Sequence, residues 1–522
     1  MKHLHVVVAL AWTTPAFASD WYVDAVNGSN ANSGATATAA WRTITHAMAN
    51  TPPSGTQVIH VLPGVYDAAL GEVFPITMRP DLQVVGDAGP TLTTIAGAGS
   101  GNLFHLESLV QGAGWMIPAT TEIRGFTLRN ASNAILIWSN WANVSPTLAD
   151  LVIESMSSAG VWISAGQYPC CGASNATFAR VRIRSCARGA LVTGESVSPT
   201  FSDCDFSANL GPGMSVITGG NVTISMQRSR IDLNAGAGIA LDAINFGGIS
   251  ATLSDCSISG NVGAAWGAGP DTGLAVAHHA SFTRCTIAGN SIGVSATNDN
   301  SGQFDTLQLI DSIVYGNGDD IDVSTSGGNY TPTVSGCLIG DGDFSGANGN
   351  FVANPLFVNA AGGDWRLRFG SPCIDLRPVS SALDLSGNAR SVDGDLNTLE
   401  RADIGAYEHL PLELVGTAQL GTLVQWRLWG PQGAPAVLYW SRSAIAGSPT
   451  TTPFGQLDLP PSTTSIYRVT TAGAVTPTVL QRTIPAAVFL VGQTFSFQSL
   501  VDSASAPNGK AYSNPVQFTV MP

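Results

Sequence analysis

The chain has 522 residues, with 22 Lys and Arg against 36 Asp and Glu and a formal net charge of −14. Charged residues make up only 11% of it, against roughly 25% in ordinary soluble domains, and the acidic balance excludes nucleic acid and anionic membrane surfaces as partners. A chain of this length has room for two or three domains.

Residues 1–18 read as a secretory signal peptide, with Lys2, an apolar run from Val6 to Trp12 and the small-x-small site Ala16-Phe17-Ala18. The apolar run is too short to span a membrane, and a cleavage signal follows it. No later run reaches the roughly 18 apolar residues a spanning helix needs. The mature chain is therefore expected to start near Ser19 and to leave the cytoplasm. Its eight Cys then lie where disulfides are permitted without being required.

Residues 19–120 are expected to form an N-terminal cap and the first coils. Trp41, Ile44 and Met48 fit one face of a short helix, placed to cover an otherwise unpaired strand edge.

Residues 121–345 repeat. "LSDCSISGN" at 253–261 returns as "FTRCTIAGN" at 282–290, and the same frame yields nine copies pivoting on Phe126, Leu151, Val181, Cys204, Ser229, Cys256, Cys285, Ser312 and Cys337, spaced 23 to 30 residues apart. Two positions after each pivot stands an apolar residue, from Leu128 and Ile153 to Val314 and Ile339. Five positions after it, later copies carry Asn209, Asn234, Asn261, Asn290 and Asn317. Period-two alternation such as Gly238-Ile239-Ala240-Leu241 means strands, and a short repeat of strands with variable insertions is one turn of a solenoid. The pivot points inward, where Cys and Ser interchange. The Asn is expected to be the left-handed corner residue, its amide stacking from coil to coil.

One step before the pivot, on the outer face, the chain reads Asp150, Arg180, Asp203, Arg228, Asp255, Arg284, Asp311. This alternation predicts a coil-to-coil ladder of ion pairs, structural in role, each exposed pair contributing about 0–1 kcal/mol. Of the thiols, Cys204, Cys256, Cys285 and Cys337 are expected inward and reduced. Cys170-Cys171 sit in an insertion within reach of Cys186 or solvent.

With "WYVDAVNGSNANSG", "WRTITHAMA" and "VIHVLPGVYD" at its start, the chain resembles a bacterial family of unknown function with the right-handed parallel β-helix, or pectin-lyase-like, fold. Residues 346–410, through "DWRLRFGSPCID" and "ADIGAYE", resemble the region called choice-of-anchor Q, which closes surface-directed β-helix proteins. Residues 411–522 read as short alternating strands, among them "LVQWRLWG", "AVLYWS" and "TFSFQSLV", and suit a β-sandwich. This segment is similar to the C-terminal module of secreted planctomycete-type proteins, which implies attachment or sorting. The expected fold is thus all-β: a β-helix with an N-terminal helical cap and a small C-terminal sandwich.

Chemistry is sought in the insertions. Trp138, Trp141 and Tyr168, with Trp162 beside them, suit stacking on sugar rings; the bland reading is that they shield their own loops. Asp242, Asp271, Asp299 and Asp305 are the candidate carboxylates for a glycosidic bond, against a reading as scattered solvated Asp. His278 and His279 point to opposite faces of a strand and do not chelate together. In "DGDLNTLERAD", Asp393, Asp395 and Asn397 have the 1-3-5 spacing of a calcium loop, with Asp403 one residue short of its last position. Calcium is the candidate cofactor and a cell-surface polysaccharide the candidate partner. Three functional readings result: a secreted carbohydrate-binding or adhesive β-helix, a polysaccharide lyase or glycoside hydrolase using the loop Asp residues, and a structural spacer of the envelope.

Overall fold

A computed structural model gives the architecture and describes residues 19–108, 116–166, 172–243, 247–268, 276–295, 306–322 and 332–522. The segment read as a signal peptide lies outside these. Among the described residues the chain is nearly all β, a right-handed parallel β-helix with one α-helix toward its N-terminal end, and it divides into two compact units, residues 1–182 and 183–522. Among the described residues no helix is long and apolar enough to cross a membrane.

In the first unit the opening strand Ser19–Val23 pairs in parallel with Gln57–Val61, and that strand with Leu82–Gly86. A second sheet stacks Ile76–Thr77, Asn102–Glu107, Asn133–Ser139 and Ala159–Ala165. The helix, Ile44–Asn50, is capped by the Thr43 hydroxyl, which accepts from His46 N at 3.2 Å. Buried Glu72 adds its carboxylate, accepting from Ile44 N at 2.6 Å and Thr45 N at 2.8 Å, so the first orphan donors of the helix are satisfied. Trp41 precedes the helix instead of lying on it and stacks on Trp21 at 5.2 Å. The helix buries Ile44 and Ala47, while Met48 is only half-buried. Gly34, at φ +71°, lets the ring of Trp41 close over it, for a Cβ there would stand 2.5 Å from the indole.

The second unit carries the coil pattern from Thr200–Ser202 and Asp205–Ser207 to Thr333–Ser335 and Leu338–Ile339, with its other sheet running from Ala190–Thr193 to Ile321–Asp322. Cys204, Cys256, Cys285 and Cys337 point inward and are buried. They interchange with Ser for a reason beyond size. Cys204 Sγ and Ser229 Oγ each donate to the carbonyl two residues back, Ser202 O at 3.3 Å and Gln227 O at 2.9 Å. Burial pushes the Cys337 thiol up to about 12, which leaves it inert at neutral pH.

The left-handed residue is not the Asn. It is the residue before it, Ala208, Leu233, Gly260, Gly289 or Gly316, and, in every coil, the residue before the pivot, from Gly125 through Asp150 and Asp311 to Gly336. The Asn side chains are thereby free to turn inward and stack. Asn209 Nδ2 donates to Asn234 Oδ1, Asn234 to Asn261 and Asn261 to Asn290, each at 2.9 Å, and Asn290 to Asn317 at 3.0 Å. The second amide hydrogen reaches a carbonyl one coil back, as from Asn261 to Ile231 O at 2.9 Å. The expected stack is present; the expected conformation is corrected.

The charge ladder resolves into forks. Each Arg clasps the Asp of the coil before it with two bonds, Arg180 on Asp150 at 2.6 and 2.8 Å, Arg228 on Asp203 at 2.8 and 2.9 Å, and Arg284 on Asp255 at 2.8 Å twice. Arg180 holds the Asp150 carboxyl below the usual range. The later rungs are not an open surface, because residues 357–407 fold back over the coils. Phe357, Trp365, Leu367, Cys373, Ile374, Ile404 and Ala406 pack on Ala288, Ile313 and Leu338, so both faces of Ser257–Ser259 and Thr286–Ala288 are buried. Asp255 is 0% exposed and receives a second guanidinium, Arg390 Nε at 2.8 Å, from the folded-back segment. At Asp311 the next rung is Gly336, which leaves room for Arg377 to bond both Asp311 Oδ1 and the Gly336 carbonyl.

Residues 412–519 carry two main antiparallel sheets and a small hairpin of Thr450–Thr452 with Gly455–Leu457. One has three strands, with Leu423–Leu428 between Leu412–Val415 and Thr478–Thr483; the other has five, built around Pro435–Ser441 and Thr494–Asp502. They face each other over Trp426, Leu438, Phe497 and Val501, the arrangement of a small sandwich.

Two outcomes test these constraints. Asp255→Asn leaves Arg390 buried against a neutral partner and should cost about 3–5 kcal/mol, whereas Asp203→Asn, at a part-exposed fork, should cost about 0–1 kcal/mol. Equal midpoints in urea would mean that the folded-back segment does not depend on the buried pair. Asn261→Ala strips partners from four buried groups and is expected to lose about 2–4 kcal/mol. Its exposed neighbour in Val262→Ala should change stability by less than about 0.5 kcal/mol; a matching loss in both would rule out an energetic role for the amide stack.

Candidate functional site

In the first unit, outward side chains of the second sheet fall into rows set by the parallel register. His105, Leu136 and Trp162 form one row, and Glu107, Trp138 and Ser164 the next. Trp138 and Trp162 therefore stand on one face of neighbouring coils, two residues out of step, with Cα atoms about 8 Å apart from strand spacing and rise. Trp138 is 40% exposed and Trp141 39% exposed, while Trp162 is half-buried. The turn holding Trp141 is pinned. Ser108 Oγ accepts from the backbone N–H groups of Asn140, Trp141 and Ala142 at 3.0–3.2 Å, and Ser139 Oγ donates to Ala142 O at 2.8 Å. His105 and Glu107, missed in the sequence, flank the indoles with Nε2 and Oε2 3.3 Å apart. Their signal was the alternation in "NLFHLE".

Of the other candidates, Tyr168, Asp271, Asp299, Asp305, Cys170 and Cys171 lie outside the described residues. For Asp242 only the backbone is described, opposite Ile217 in the adjoining strand. His279 is described, its Nδ1 2.7 Å from Thr306 Oγ1.

The second unit gathers carboxylates where the calcium spacing was read. Ligand oxygens of Asp375, Asp393 and Asp395 lie within 4.8 Å of one another, and so do those of Asp375, Asp403 and Glu408. Asp375, common to both sets, and Glu408 were not among the sequence candidates, although "PCID" and "DIGAYE" contain them. Backbone geometry fixes the group: Asp375 N donates to Asp403 Oδ1 at 2.8 Å, Asp395 N to Asp375 Oδ2 at 2.8 Å, and Asp403 N to Glu408 Oε2 at 3.1 Å. Asn397 instead serves the carboxylates as a donor, its Nδ2 2.9 Å from Asp395 Oδ2, while its Oδ1 accepts from Leu399 N. Burial, with added repulsion from Asp395, pushes the Asp393 carboxyl up to about 7 against its bonds from Thr398 and Asn397. Burial raises Asp375, Asp403 and Glu408 as well, each with further repulsion from a neighbouring carboxylate. Burial pushes His409, whose backbone N–H donates to Asp403 Oδ2, down to about 4, so its imidazole adds no positive charge at neutral pH. Arg390 lies at the edge, its Nε on Asp255 and its Nη1 3.8 Å from Glu408 Oε2.

Residues 26–198 match a family described as "Protein of unknown function (DUF1565)". No curated protein matches the chain. Among solved structures it is similar to the A-module of mannuronan C-5 epimerase AlgE6 from Azotobacter vinelandii, at 16% identity and a TM-score of 0.31 over 58% of this chain and 92% of that one. Full-length tailspike protein 2 of the Escherichia coli O157:H7 bacteriophage CAB120 aligns at 10% identity and a TM-score of 0.37, over 88% of this chain and 63% of its own. Pectin methylesterase from carrot aligns at 11% identity and a TM-score of 0.26, over 68% and 96%. At these identities and scores the likenesses carry no argument about activity.

Proposed function

We propose that the chain is a secreted or cell-surface β-helix protein that binds carbohydrate on the outer face of its first unit. One observation carries the reading: two large indoles, Trp138 and Trp141, stand well exposed on a pinned stretch beside Trp162. Exposing that much aromatic surface forgoes burial worth about 25 cal/mol per Å², and a rigid, flat apolar face with polar tips nearby suits the face of a sugar ring. Glu107 and His105 supply hydrogen-bonding partners at its border. A formal charge of −14 disfavours polyanionic chains, so the ligand is expected to be a neutral glycan.

Mobility of the full mature chain in native gels cast with soluble neutral polysaccharides tests this. Retardation is expected, and the Trp138→Ala and Trp141→Ala double variant should weaken it about tenfold or more, equivalent to about 1.4 kcal/mol, with melting unchanged. Undiminished retardation in the double variant would discard the indole face. No retardation by any neutral polysaccharide would favour the spacer reading, and release of new chain ends would favour an enzyme using the loop carboxylates.

A further inference from the structure

The strongest unexplained feature is the carboxylate group under the folded-back segment. Asp375 is 7% exposed and Glu408 4% exposed, and Asp403 is fully buried. Most polar atoms at such depth find partners, yet Asp375 Oδ1 and Glu408 Oε1 have none among the described residues. An ionised carboxylate left this way is expensive to bury. Here two sets of three carboxylates share Asp375, whose oxygens lie within 4.8 Å of those of Asp393 and Asp395 in one set and of Asp403 and Glu408 in the other. Arg390, a buried guanidinium nearby, is bonded to Asp255 and to the Gly405 carbonyl, each at 2.8 Å, and comes only to 3.8 Å from Glu408 Oε2.

We propose that these carboxylates hold a hard divalent cation of the calcium class, with Asp375 as the shared ligand and Glu408 and Asp403 as its buried partners. The donor chemistry selects the ion. Every convergent group is a carboxylate oxygen, with neither thiolate nor imidazole among them, which favours calcium or magnesium over zinc or copper. The oxygens of each set lie within 4.8 Å of one another, close enough to share an ion whose ligands lie about 2.3–2.6 Å away, and calcium accepts an irregular oxygen shell where magnesium demands a near-ideal octahedron. The ligand set revises the one read from the calcium-loop spacing, since Asn397 serves as a donor to Asp395 and Asp375 and Glu408 enter. The ion would tie three separate stretches of the folded-back segment, at residues 375, 393–395 and 403–408, into one unit. This inference is independent of the carbohydrate reading.

The test uses the full mature chain, stripped with a chelator and titrated with calcium chloride in a calorimeter, with melting followed in parallel. Uptake of calcium and a rise in melting temperature are expected, with a smaller response to magnesium chloride. Asp375→Asn and Glu408→Gln should each abolish the uptake. In chelator, however, Asp375→Asn should melt at or above the unaltered protein, because it removes a buried acid whose Oδ1 has no partner and which neighbouring carboxylates repel. That reversal separates a lost ligand from a damaged fold. Should Asp375→Asn fail to fold, Asp393→Asn at the half-buried edge carries the same expectation of weakened uptake. Asp341→Asn, in the exposed Asp319, Asp341 and Asp343 group, is the control and should leave uptake intact. Absence of uptake at millimolar calcium, or uptake that survives both Asp375→Asn and Glu408→Gln, overturns the proposal.

Discussion

Coil-to-coil register is the constraint on which the rest depends. Parallel strands align only if each coil turns at the same place, and a slip of one residue would send every inward side chain to the outer face. The chain meets this with a left-handed residue immediately before each pivot, nine times from Gly125 to Gly336. Seven of these are Asp or Arg, residue types for which that conformation costs roughly 1–2 kcal/mol. The forked ion pairs sit on the same residues. Conformation that is costly one residue at a time is thus held by bonds that exist only when two coils are aligned. Similarly, the left-handed residue before each corner lets the Asn that follows turn inward, where its amide joins the next coil.

Closure of the later coils follows from the same register. Where the column would call for an Arg opposite Asp311, it offers Gly336, and Arg377 enters from a segment 41 residues further along the chain. Where the column already has its Arg, at Asp255, burial is tolerated because Arg390 adds a second guanidinium. Ala406 N bonded to Thr286 Oγ1 and Gly405 N bonded to Asp311 O fasten the backbone of the same segment. A face that would otherwise be an open groove becomes interior. The exposed indoles stand instead on the outer sheet of the first unit.

Much of the fold was legible because a solenoid writes its contacts as a period. The pivot, the apolar column two residues on, the Asn column and the alternating charges each recur at the interval that brings them together in space, so that neighbours along the coil axis are neighbours in the frame. The cap helix and the closing sandwich were legible from local pattern and turn residues. Conformation at the corners was misassigned to Asn, since left-handed propensity and inward amide stacking both favour Asn and only the backbone separates the two roles.

The carboxylate group shows where such reading ends. Spacing in "DGDLNTLERAD" marked Asp393, Asp395 and Asp403, but Asp375 and Glu408 join them through a fold-back that follows no period. The sequence by itself determined the coil, its register and the residue types facing in and out, because these rest on interactions one repeat apart. Only the tertiary structure decided which charges are buried, which Asn oxygen is turned away, and which indoles remain exposed. Those depend on where an aperiodic segment comes to rest, and burial, not residue type, sets the cost of leaving a polar group without a partner.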